Sequence, residues 1–201
     1  MVMANLSLKT KLVEVKEDPF FLPEPLKKKH EAAREMLSLL NTKFRTSDGN
    51  PHAPTVLFAA AWLAGTSLYR SLQQKKYSLP GRFIALQDLN TEWDSLVYLL
   101  EEYTLQRADI PVGRIVLAAM AAPQSFKPQL GVSDVQAELW EQYGAVMEAR
   151  GFNSLESARV GVLLCSILIQ QYSQAGWIDV EAATGIAAQS IFEAARQCLL
   201  P

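Results

Sequence analysis

Six carboxylates crowd one stretch of this chain: Asp88, Glu92, Asp94, Glu101, Glu102 and Asp109 fall within 22 residues whose only base is Arg107. Paired carboxylates on helices can hold Mg²⁺ for phosphoryl chemistry, so metal-dependent phosphohydrolysis by segment 88–109 is one functional expectation. The spacing serves that task poorly. Asp88 and Glu92 are four apart, but Thr91 with Asp94 reads as a capping box, which predicts a helix start between the two acids. Glu101 and Glu102 are adjacent and point about 100° apart on a helix. Glu138 and Glu141 have Glu-x-x-Glu spacing but fall opposite Leu139 and Tyr143, on the expected solvent face. A solvated acidic face accounts for these residues more simply than a metal centre.

The other groups that carry chemistry are sparse. His30 and His52 are the only histidines. His30 lies in a Lys-Lys-Lys-His-Glu run that reads as a solvated face, and His52 follows Pro51 at a helix-cap position. His30-Glu31 is followed by Ala32, Ala33 and Arg34, so the second imidazole of a zinc-binding helix is missing. Cys165 and Cys198 form no Cys-x-x-Cys pair and fall in apolar helical patterns, as reduced core thiols do. Ser67 lies inside a continuous helical pattern, without the Gly-x-Ser-x-Gly elbow of a nucleophile. No glycine-rich phosphate loop occurs. No metal and no cofactor is expected.

Two patterns suit a ligand. Pro111-Val112-Gly113-Arg114 places an arginine at a helix start, where free backbone N–H groups attract anions, and Ser154, Ser157 and Arg159 do the same further on. Phe58, Trp62, Tyr69, Trp93, Trp140 and Tyr143 can line an apolar pocket between helices, although the same spacing describes an ordinary core. Binding of a small apolar or anionic molecule, anchored by Arg114 or Arg159, is a second functional expectation.

These residues sit in a chain of 201, of which 49% are hydrophobic and 20% charged, enough for a packed core without disulfide or metal support. The net charge of −2 gives no basic field for nucleic acid. Residues 1–87 carry 13 bases against 7 acids, and residues 88–201 carry 6 against 14, which suggests that oppositely charged segments face each other within the molecule or across a dimer. Stretches 49–69 and 160–178 lack formal charge over nearly the ~20 residues of a membrane span. Their Pro51, His52, Thr55, Thr66, Ser67, Gln170, Gln171 and Gln174 instead suit the central helices of a water-soluble bundle, with no membrane partner. Lys9, Lys11, Glu14 and Lys16 interrupt the apolar run a secretory signal requires, so a cytoplasmic location is expected.

Apolar periodicity, caps and breakers set the elements. Pro19, Pro23 and Pro25 predict an arm over 1–25 that carries Phe20, Phe21 and Leu22. Helices are predicted over 26–44, 53–72, 91–108 and 112–122, and then 133–150, 153–174 and 179–199. The last three open with Ser133 and Gln136, Asn153 and Glu156, and Asp179, while Gly151 and Gly176 stand as stops. The expected fold is all-α: a single-domain bundle of five to seven helices over 26–201, with two near-central apolar helices around Trp62 and Leu164. The leading functional expectation is a non-catalytic interaction or assembly protein that forms a homodimer through the arm or a small-residue helix face.

Overall fold

A computed structural model of the chain describes residues 24–47, 49–77, 86–105, 128 and 132–197. The arm over 1–23, the predicted helix over 112–122, Asp109, Arg114 and Cys198 lie outside the described residues. Among the described residues there are six helices: α1 Glu24–Lys43, α2 Ala53–Tyr77, α3 Leu86–Leu105, α4 Val132–Glu148, α5 Ser154–Gln174 and α6 Val180–Gln197. Among the described residues there is no strand, only a bridge between Arg45 and Pro51 in the turn that joins α1 to α2. The molecule is an all-α bundle.

Helices α2 and α5 are its centre, as the long uncharged stretches within them require. From Ala59 to Leu68 every residue of α2 is buried, and α5 buries all but Arg159 and Ile167 between Ser157 and Ile169. A helix apolar on most sides is stable in water only when other helices surround it. Here α2 packs along α5 and α6, α3 lies across α5 and α6, and α1 covers α5. Small residues set the spacing. A Cβ added at Gly161 would lie 2.7 Å from Ala64 Cβ, and one added at Gly65 would lie 2.3 Å from the Ile191 carbonyl oxygen. The backbones touch there because no side chain intervenes.

The helix ends follow local chemistry. Asn153 accepts from the Glu156 amide at 2.9 Å while Glu156 accepts from the Asn153 amide at 3.2 Å, which completes the predicted capping box of α5. Asp179 Oδ1 accepts from the amides of Glu181 and Ala182 and caps α6. Gly151 and Gly176 take φ of 70° and 71° after α4 and α5, the left-handed conformation that favours glycine. His52 begins α2, its carbonyl accepting from the Val56 amide and its Nδ1 lying 2.7 Å from Thr55 Oγ1.

In the first half of the chain, three boundaries differ from expectation by two residues or more. Helix α1 begins at Glu24, two residues inside the stretch predicted as an arm, and α2 runs to Tyr77, five residues past its predicted end at 72. Helix α3 begins at Leu86, and Thr91 is an exposed residue inside it rather than its cap. Leu89 explains the difference. It is fully buried and extends the stripe of Trp93, Leu96, Val97 and Leu100 by one turn, and burying a leucine outweighs a capping hydrogen bond. Among the described residues, no helix is long and apolar enough to cross a membrane.

Candidate functional site

The six aromatic residues singled out by spacing do not share one pocket. Phe58 packs on Trp62 with ring centroids 6.3 Å apart, while Trp93 meets Phe192 edge-on at 5.3 Å and donates its indole N–H to the Ala188 carbonyl. Tyr69 bonds the Gln73 amide. Trp140 and Tyr143, 6.1 Å apart on α4, face an open cleft. Helical spacing identifies the apolar face of each helix but not which helices meet.

That cleft, of about 500 Å³, lies between α2, α4 and the start of α5. Its apolar wall is Trp140, Tyr143, Met147 and Phe152. Its polar groups come from Ser67 and Arg70 on α2, Glu148 at the end of α4, and Asn153, Ser154 and Ser157 where α5 begins. The Gly151 turn brings the end of α4 beside the start of α5, so one rim of the cleft carries both helix termini.

Each polar group has a definite state. The Arg70 guanidinium lies over the Trp140 ring, its Cζ 4.3 Å from the ring centroid, a cation–π contact. Among the described residues it has no carboxylate partner. Tyr143 is buried, and its phenol donates to the Ser157 carbonyl, tying α4 to the first turn of α5. Burial pushes that phenol far above its ordinary range, opposed in part by the neighbouring Ser67 hydroxyl. Ser67 is 1% exposed, and its Oγ has no hydrogen-bond partner. That oxygen is closed off from the open space of the cleft, beside the Tyr143 phenol.

Of the predicted anion site, Ser154 and Ser157 line this cleft but Arg159 does not. Arg159 is about 200° around the helix from Ser157. It lines instead a smaller groove, of about 320 Å³, with Lys29, Tyr98 and Tyr103. Arg70 takes the place expected of Arg159 in the larger cleft. Its sequence signal was its position as the first charged residue after the uncharged run 49–69.

The acidic segment disperses. Asp88 and Glu92 share α3, four residues apart and so on one face, and Glu92 pairs with Lys75 of α2. Asp94 and Glu102 are exposed, while Glu101 is buried with its Oε1 unpartnered and its carboxyl pushed up by that burial. Among the described residues, no three His, Cys, Asp or Glu side chains gather as metal ligands. His30 is half-buried rather than solvated, and burial with Arg34 nearby lowers its pKa. Cys165 is fully buried, and burial pushes its thiol far up, which favours an unreactive core thiol.

Comparison with protein families, with curated proteins and with solved structures returns no match.

Proposed function

We propose that this chain is a binding protein for a small organic anion with an apolar body, held in the cleft between α2, α4 and the start of α5. The observation that carries the reading is the Arg70 guanidinium, stacked on Trp140 at 4.3 Å and without a carboxylate partner among the described residues. An arginine so placed presents a preoriented fork to a carboxylate while the aromatic wall accepts the ligand's apolar part. The first amides of α5 add a field of the same sign.

The reading favours a binder over an assembly protein because the large exposed apolar side chains among the described residues are Tyr98 and Trp177, and Trp177 stacks on Tyr172. Melting-temperature shifts against aromatic and aliphatic carboxylates test it. Aromatic carboxylates raise the melting temperature of the parent chain, and both Arg70→Gln and Trp140→Ala abolish the rise. If no carboxylate stabilises the parent, or if the variants respond as the parent does, the reading is wrong.

A further inference from the structure

The same cleft carries a second, opposite charge. Glu148 is exposed in the last turn of α4, has no ion pair among the described residues, and lines the cleft together with Arg70. A carboxylate at a helix C-terminus sits where the helix dipole disfavours it, so it gains from any cation brought to it. Arg70 and Glu148 are farther apart than a salt bridge allows, so neither neutralises the other. One rim of the cleft is therefore polarised, positive at Arg70 and the start of α5, negative at Glu148 and the end of α4.

We propose, on the reading above, that the ligand is a zwitterion: a free α-amino acid with a large apolar side chain. Its carboxylate meets Arg70, its ammonium meets Glu148, and its side chain lies along Trp140 and Phe152. An α-amino acid carries both charges on one carbon, whereas an amide-linked residue inside a peptide carries neither.

Isothermal titration of the full chain with L-tryptophan, L-phenylalanine and L-leucine, beside indole-3-acetate and tryptamine, tests the assignment. Indole-3-acetate lacks the ammonium, and tryptamine lacks the carboxylate. We expect at least one of the amino acids to bind, and L-tryptophan to bind about fivefold more tightly than either indole analogue, the effect of one partly exposed ion pair. Glu148→Gln should erase the advantage of L-tryptophan over indole-3-acetate, while indole-3-acetate, relieved of a like charge in the cleft, binds no more weakly than to the parent. If indole-3-acetate binds as tightly as L-tryptophan and Glu148→Gln changes neither, the zwitterion assignment is overturned while the anion-binding reading stands. If none of the probes binds, both fall.

Discussion

Glu101 Oε1 and Ser67 Oγ are both buried without a hydrogen-bond partner, but the Ser67 hydroxyl is neutral and lies beside the Tyr143 phenol, whereas Glu101 can ionise. Glu101 belongs to the buried face of α3 and is 4% exposed, so its charge has to be suppressed rather than used. Burial raises its carboxyl above the ordinary value of 4.5, which means the folded chain holds that proton more tightly than the unfolded chain does. The stability this contributes is fully present below the ordinary value and is lost as pH rises through the raised one. Glu101→Gln should therefore flatten the decline in urea-unfolding stability between pH 4 and pH 8. An unchanged slope in that variant would show that another group is responsible. The identity of Glu101 was plain in the sequence, but its state was not. The whole acidic segment reads as a solvated face, and only the packing of α3 on α5 and α6 separates the buried Glu101 carboxyl from the exposed one of Glu102.

Among elements, the boundaries set by local chemistry were readable in advance and those set by tertiary burial were not. Asn153 with Glu156, Asp179, Gly151 and Gly176 act within one turn of chain, so a short window of sequence contains the whole interaction. The start of α3 depends on Leu89 finding a core to enter, which no local window records. The crossing of α2 and α5 is partly legible, since Ala60, Ala61, Ala64 and Gly65 are small enough to admit a neighbouring helix, but nothing in their spacing says which one. The partner is Gly161. In an unconstrained helix interior, Gly→Ala stabilises by about 1 kcal/mol. At Gly161 the added Cβ would meet Ala64 Cα at 2.9 Å as well as its Cβ, so the helices must separate. Gly161→Ala should destabilise the chain by about 3 kcal/mol in denaturant unfolding, the cost of overpacking a close contact. A stabilised variant would contradict the α2–α5 crossing described here.

At the scale of the molecule, the division into a basic first part and an acidic second part has a partial structural counterpart. Lys75 pairs with Glu92 across α2 and α3 in the expected sense, whereas Arg150 reaches Glu35 of α1 with the charges reversed. Both pairs are partly exposed, and such pairs contribute little to stability. Composition and periodicity were enough for an all-α bundle with α2 and α5 at its centre, because burying uncharged helices leaves few other architectures. The cleft was not readable in the same way. It takes Ser67 and Arg70 from one helix, Trp140 and Glu148 from another and Ser157 from a third, and no periodicity links positions so far apart in the chain.

The most direct measurement of that cleft is calorimetric titration of indole-3-acetate into the parent chain and into Arg70→Gln at neutral pH. A saturable heat in the parent, reduced at least about tenfold in affinity by Arg70→Gln, is the expected result, the loss of a charge-assisted hydrogen-bonded pair. Equal binding by parent and variant, or none by either, would contradict an anion site at Arg70.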